Sequence, residues 1–270
     1  MSPPHATTRR SRPRALVTGA SAGIGEAFAR ALAARHHDLV LVARRRDRLE
    51  TLAKELGERH RVSATVEVAD LADAGELGRL VAAVGADAPD LLVNNAGFGT
   101  MGAFAELEPE RELEEIQLNV VALVRLTRAA LPGMLARGSG GVIHVSSLAG
   151  ETAGPFTATY SATKAFVTCF SESVHEELRG SGVTVQALLP GFTRTEFQEV
   201  AGVDPGIVPA FAWMSAEAVV AQSLAALERG DAVCIPGAGN RLLGGLTALA
   251  PRGFARRVLG ATQRRSQRRG

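Results

Sequence analysis

Tyr160 is the only tyrosine in this chain, and Lys164 is one of only two lysines, the other being Lys54. Arginine supplies the rest of the positive charge. Four residues apart on a helix, the two side chains project from one face, one turn from each other. An ammonium near a phenol favours the phenolate and pulls the tyrosine pKa down. That would make a group able to give and take a proton near neutrality. An ordinary amphipathic helix can carry the same pair, so the reading depends on what the rest of the chain brings beside it.

Near the amino terminus Ala15-Leu16-Val17 predicts a buried strand that breaks into Thr18-Gly19-Ala20-Ser21-Ala22-Gly23-Ile24-Gly25. An apolar helix follows through Ala27, Phe28, Ala31 and Leu32. Strand, glycine turn and helix form the context in which backbone N–H groups and a helix N-terminus cradle a pyrophosphate. Gly19, Ser21, Gly23, Ile24 and Gly25 are the candidate cradle. The spacing is Gly-x-x-x-Gly-x-Gly, unlike the commonest dinucleotide fingerprint, and tight packing of the turn alone would also use these glycines. The second strand, Leu39 to Val42, runs into Ala43-Arg44-Arg45-Arg46. An acidic residue there suits the ribose 2′-hydroxyl of NAD, and arginine the 2′-phosphate of NADP. The nearest carboxylate, Asp47, falls in the next helix. Arg44 is therefore the candidate phosphate ligand, with Arg45 or Arg46 able to share the role.

A helix is expected near 46–59, a strand at 64–68 followed by Ala69-Asp70-Leu71, and another helix across 73–84. Leu91-Leu92-Val93 predicts a fourth strand ending in Asn94-Asn95-Ala96-Gly97. Helices over about 109–136 place Asn119 among Ile116, Leu118, Val120 and Val121, where a polar side chain is either a bonded core residue or part of a site. Val142 to Val145 forms a fifth strand with Ser146-Ser147 at its end, and His144 reads as a satisfied core residue. The helix of Tyr160 and Lys164 follows, then a strand at 183–189 and the turn Pro190-Gly191. This alternation predicts an α/β fold: a single-domain, doubly wound, mainly parallel sheet of about seven strands with helices on both faces. Residues 1–13 read as a disordered basic arm, 14–237 as the dinucleotide-binding and catalytic domain with a lid at 192–214, and 238–270 as an amphipathic, arginine-rich C-terminal extension.

With 46% hydrophobic and 21% charged residues, the composition is that of a soluble globular protein. A formal net charge of +2 is too small to argue for nucleic acid. Cys169 and Cys234 lack metal-ligand spacing and are expected to be buried and reduced. No metal is expected. No uninterrupted apolar run reaches membrane-span length, and no separate apolar signal region precedes the first strand. The chain is expected to be cytoplasmic.

Together these residues resemble the short-chain dehydrogenase/reductase family, from about Arg14 to Pro236. The resemblance rests on Thr18-Gly19-x-x-x-Gly23-Ile24-Gly25, Asp70, Asn94-Asn95-Ala96-Gly97, Asn119, Ser147, Tyr160-x-x-x-Lys164 and Pro190-Gly191, in that order. It implies that Tyr160 exchanges a proton with a carbonyl or alcohol oxygen, and that Lys164 lowers its pKa and bonds the nicotinamide ribose. Ser147, at the spacing from Tyr160 usual in the family, would polarise the substrate oxygen. Asn119 would hold a water linking Lys164 to solvent. Asp70 and Leu71 would meet the adenine, Asn95, Ala96 and Gly97 the adenosine ribose, and Pro190, Gly191, Thr193 and Thr195 the nicotinamide amide and pyrophosphate. The implied cofactor is NADP(H). The chain has Ala22 where many NADP-dependent relatives carry a basic residue, which shifts phosphate selection to the arginines after the second strand. A homo-oligomer, dimer or tetramer, is expected by the same resemblance.

Substrate would sit over the carboxyl ends of the strands. Phe98, Phe156, Phe192, Phe197 and Trp213 lead an apolar lining, which favours a lipophilic ketone, aldehyde or secondary alcohol. Two alternatives remain: a catalytically silent NADP-binding regulator, and a reductase held at a membrane surface. For the second, Leu242, Leu243, Leu246 and Leu249 share a helical face in the extension.

Overall fold

The computed structural model describes residues 12–196 and 212–242. Most of the expected arm (1–11), part of the expected lid (197–211, with Phe197) and most of the expected extension (243–270) lie outside the described residues.

Nine strands are described: β1 (Arg14–Thr18), β2 (Asp38–Ala43), β3 (Ala64–Val68), β4 (Leu91–Asn94), β5 (Gly140–Val145), β6 (Val183–Leu188), β7 (Thr193–Arg194), β8 (Met214–Ser215) and β9 (Val233–Cys234). Seven of them form one sheet in the order β3-β2-β1-β4-β5-β6-β9, and every pairing is parallel. The short strands β7 and β8 pair separately. The helices are α1 (Gly23–Ala34), α2 (Arg46–His60), α3 (Ala74–Ala86), α4 (Pro109–Ile116), α5 (Leu123–Arg137), α6 (Ala158–Glu177) and α7 (Ala216–Glu228).

Alternation along each strand sorts the core onto two faces. Ala15 and Val17 of β1 pack with Phe28 and Leu32 of α1, Leu49 of α2 and Val219 of α7. Leu16, between them, packs with Leu77 of α3 and with Leu126 and Met134 of α5 on the other face. The chain winds outward through β2 and β3, then crosses to β4 on the far side of β1. That reversal opens a crevice above the carboxyl ends of β1 and β4, where ligands of doubly wound folds bind. Beyond the turn Pro190-Gly191, α7 leads to β9, which pairs with β6 and forms the sheet's far edge.

From Pro109 to Arg137 the chain is helical throughout, but α4 and α5 are joined by a wider π turn at Gln117–Ala122. The span is long and apolar enough by hydropathy to cross a bilayer. Here it packs on α3 and α6 and carries buried polar groups, as a core helix does. Cys234 is buried, but Cys169 is exposed, which corrects the expectation for that residue. On α6 the inward positions are Val167, Ser171 and Val174, and helical periodicity turns 169 to solvent.

His144 is fully buried on β5, between the hydroxyls of Thr127 and Ser171, each 2.8 Å from a ring nitrogen. Burial pushes its pKa down to about 3, so the ring is neutral, with one nitrogen donating a hydrogen bond and the other accepting one. The folded chain refuses a proton that the unfolded chain accepts below pH 6.5, so the stabilisation is complete above that value and is lost as pH falls towards 3. Denaturant unfolding across this window should show a loss from His144 of about 1.4 kcal/mol per pH unit. His144→Gln, which keeps one donor and one acceptor, should flatten that slope; parallel curves for parent and variant would contradict the assignment.

Candidate active site

Ser147 stands just past the carboxyl end of β5, with its hydroxyl placed where it favours the ionised form of the Tyr160 phenol. Its oxygen accepts from Ala149 N at 3.1 Å, which orients the side chain. Ser146 does something different. It is buried, donates to the Lys164 carbonyl at 2.8 Å and meets Thr168 Oγ1 at 2.8 Å, tying the strand end to α6. Adjacent residues at a strand end point to opposite sides, so only one of the two serines reaches the phenol.

Tyr160 and Lys164 lie in the first two turns of α6. The aromatic ring packs on the loop after β4: a Cβ at Gly99 would fall 2.7 Å from Tyr160 Cδ2. Lys164 is buried, and its Nζ donates to Val145 O at 2.8 Å, 5.7 Å from the centre of the Tyr160 ring. Burial lowers the Lys164 pKa to about 8, while the nearby Glu115 charge works in the other direction. The tyrosine does not behave as its spacing from lysine suggests. Burial pushes it up to about 12, the Ser147 hydroxyl pulls it down, and Glu115 adds to the rise. In this structure the phenol is therefore held as the protonated acid, a correction to the expected lowering. Desolvation of the phenolate outweighs an ammonium that is aimed at a backbone carbonyl.

Asn119 sits in the π turn, a helix irregularity common at functional sites. Its Nδ2 donates to Phe98 O at 2.8 Å and to Thr163 Oγ1 at 3.2 Å, and its Oδ1 accepts from Phe98 N at 3.2 Å. The amide thus clasps both backbone groups of Phe98 and fixes the loop that carries Gly97 and Gly99. One turn earlier on the helix is Glu115, fully buried, whose Oε2 accepts from Thr100 N at 2.9 Å and Thr100 Oγ1 at 2.8 Å. Glu115, Thr100 and Thr163 were not singled out in the sequence. An acidic residue at i−4 to a candidate asparagine inside an apolar series was the available signal.

The opposite end of the crevice gathers the remaining candidates. Gly19 and Gly23 adopt left-handed backbone angles, with φ of 66° and 56°, and Ser21 is buried in the turn between them. Gly25 lies in the first turn of α1 beside the half-buried Ile24. Asn95 spends its side chain on bracing this turn, donating from Nδ2 to Thr18 O at 2.9 Å, while the backbone N–H groups of Asn95 and Ala96 donate to Thr18 Oγ1. Leu71 is buried in the core. Asp70 accepts from Ala72 N at 3.0 Å and lies 3.8 Å from Arg44, which is largely exposed. Arg45 comes closer to the glycine turn, donating to Ser21 Oγ and Ser21 O at 3.2 Å each. Arg45 and Arg48 both pair with Glu196, at 2.8 and 2.5 Å; Arg48 and Glu196 were not anticipated.

Pro190 is buried, Gly191 abuts the Asn240 side chain, and Thr193 Oγ1 donates to Gly191 O at 3.1 Å. Thr195 faces Gly23 across the crevice, since a Cβ there would meet its side chain at 3.0 Å. These residues fit a dinucleotide. No side chain caps the first turn of α1 at Ala22, which leaves its backbone N–H groups available to an anion.

On the substrate side Phe192 is exposed and packs 5.6 Å from Trp213 in a tilted pair. Phe156 holds a left-handed φ of 65°, and its carbonyl accepts from Gly102 N. Phe98 is buried beneath the Arg111 guanidinium, 3.8 Å above its ring, and so belongs to the wall rather than the opening.

Because Tyr160 is the sole tyrosine, its ionisation can be read directly from phenolate absorbance. At pH 10, where a free phenol is half ionised, the folded protein should show almost no phenolate, and Ser147→Ala should push ionisation higher still. A parent midpoint below 10 would overturn the electrostatics described here.

Residues 13–205 match the sequence model of the short chain dehydrogenase family. The chain is 34% identical over 191 residues to the very-long-chain 3-oxoacyl-CoA reductase of Anas platyrhynchos, a match covering 69% of this chain and 61% of that protein. The matched segment thus spans about three fifths of that relative's length. Among solved structures, a short-chain dehydrogenase from Sphingobium yanoikuyae in complex with NADPH superposes with a TM-score of 0.79 at 35% identity, covering 94% of this chain and 95% of the other. The bulky-bulky ketone specific alcohol dehydrogenase from Comamonas testosteroni superposes with a TM-score of 0.76 at 31% identity, covering 90% and 96%. With the parallel sheet and the Ser147–Tyr160 pair already in place, the match over 13–205 makes this chain a member of the short-chain dehydrogenase/reductase family.

Proposed function

We propose that this protein is an NADP(H)-dependent oxidoreductase that interconverts a lipophilic ketone or aldehyde and its alcohol. The observation that carries the reading is the Ser147–Tyr160 hydroxyl pair, set beside buried Lys164 at the carboxyl end of β5. NADP(H), held by the α1 turn, Arg44, Arg45 and the Pro190–Thr195 segment, would supply or accept the hydride. Ser147 binds the substrate oxygen and polarises the C=O bond. Tyr160 gives its proton to that oxygen as negative charge builds on it, and takes the proton back when an alcohol is oxidised. A phenol held firmly protonated suits the reductive direction. Lys164 keeps a positive charge near the phenolate formed, limiting the cost of leaving a buried anion.

The lipophilic substrate is supported by the exposed Phe192, which packs in a tilted pair with the half-buried Trp213. The similar proteins named for very-long-chain acyl and bulky ketone substrates point the same way.

The test is turnover with NADPH over a homologous ketone series. kcat/KM should rise up to about fourfold for each added methylene, the equivalent of about 0.8 kcal/mol, until the pocket is full. Trp213→Ala should flatten that rise. NADPH should bind more tightly than NADH, and Arg44→Ala should weaken NADPH alone by roughly tenfold or more. A preference for small polar carbonyls, or equal affinity for the two cofactors, would contradict the proposal.

A further inference from the structure

Among the described residues, Glu115 is the one acidic side chain with no solvent exposure, and none of the steps above uses it. A buried carboxylate is costly unless donors and a counter-charge meet it. One oxygen, Oε2, has two donors, both from Thr100 in the loop that also carries Gly97 and Gly99. The other, Oε1, lies 3.5 Å from Asn119 Nδ2, one helical turn away. Beyond Asn119 the connection reaches the lysine: a Cβ placed at Gly97 would lie 2.7 Å from Asn119 Oδ1 and 3.6 Å from Lys164 Nζ. Gly97 is thus the thin spacer between the amide and the ammonium. Lys164 carries three donors, and the Val145 carbonyl, its hydrogen-bond partner, is neutral.

We propose that Glu115 is a positioning residue of this site, anchoring the loop after β4 through Thr100 and supplying the negative charge that keeps Lys164 an ammonium. The inference rests on the reading of the site as a Tyr160-dependent oxidoreductase. The charges acting on Glu115 are Glu112 on its own helix and Lys164 on α6; the loop contributes the neutral Thr100, and β5 the Val145 carbonyl that Lys164 meets. Glu112 is itself buried and accepts from the hydroxyl of Thr159, the neighbour of Tyr160. Burial and Glu112 hold the Glu115 carboxyl above the usual carboxylate range, while the Thr100 donors and Lys164 favour its ionised form. Its charge raises Lys164 and Tyr160 together, so one carboxylate stabilises the ammonium and the protonated phenol required for reduction.

The chain's two lysines make the test direct. With lysine labelled by 13C at Cε, the protein gives two side-chain signals, and Lys54→Arg leaves that of Lys164. Its titration midpoint should lie near pH 8 in the parent and fall by about one unit in Glu115→Gln. Phenolate absorbance should appear at lower pH in the same variant. The alkaline loss of ketone reduction should shift down with the lysine. Thr100→Val keeps the charge and loses one loop contact, so it should lower kcat without moving the lysine midpoint. That split separates an electrostatic role from a merely structural one. The parent offers a second reading should Glu115→Gln fail to fold: the Lys164 signal should carry a smaller inflection above pH 4.5, as Glu115 gains its proton. An unchanged midpoint in Glu115→Gln, or no acid inflection in the parent, would overturn the inference. A shifted midpoint in a protein that turns over no carbonyl would support the role of Glu115 and defeat the functional reading instead.

Discussion

Lys164 carries a positive charge into the interior, and the arrangement of the site follows from keeping it there. Taking an ammonium out of water costs several kcal/mol unless its donors and charge are met. The carbonyl of Val145 meets one donor because β5 ends there, and parallel strands leave their last carbonyls at the crevice. The carboxylate of Glu115 opposes the charge from the far side of Asn119. A lysine in this setting titrates near pH 8, so it still carries its charge at neutrality.

The scaffold supports this in a chain of contacts, each depending on the previous one. The crossover from β3 to β4 opens the crevice. Thr18 then pins the start of the loop after β4 by accepting from the N–H groups of Asn95 and Ala96. Asn119 and Glu115 hold the loop's middle and end at Phe98 and Thr100. That loop is the surface on which the Tyr160 ring packs, so the phenol is positioned by the helix preceding β5 as much as by its own. Ser147, after β5, closes the constellation from the third side.

Much of this was legible in the sequence because backbone demands leave residue-type signatures. The glycine turn, the alternating core of the strands and the Tyr160–Lys164 spacing each report one local geometry, and each was read where the structure places it. The tyrosine's pKa was misread because spacing on a helix says nothing of burial, and burial dominates here. Glu115 went unnoticed because a glutamate in Arg111-Glu112-Leu113-Glu114-Glu115 looks like part of a solvated helix face. Only tertiary packing shows that residues 112 and 115 face inward while Leu113 is exposed. Cys169 shows the same limit in reverse: its neighbours are apolar in sequence, yet the helix turns it outward. The last strand, β9, has two residues and no pattern of its own; it is recruited by pairing with β6.

The most direct measurement of the central claim is the rate of ketone reduction by Tyr160→Phe in a single turnover, beside its NADPH affinity. The substitution removes only the phenolic oxygen and keeps the ring against Gly99. If Tyr160 is the proton donor, NADPH should bind the variant as it binds the parent, and the rate should fall by at least about a hundredfold. A variant that reduces the same ketone at a rate near the parent's would show that the proton comes from elsewhere.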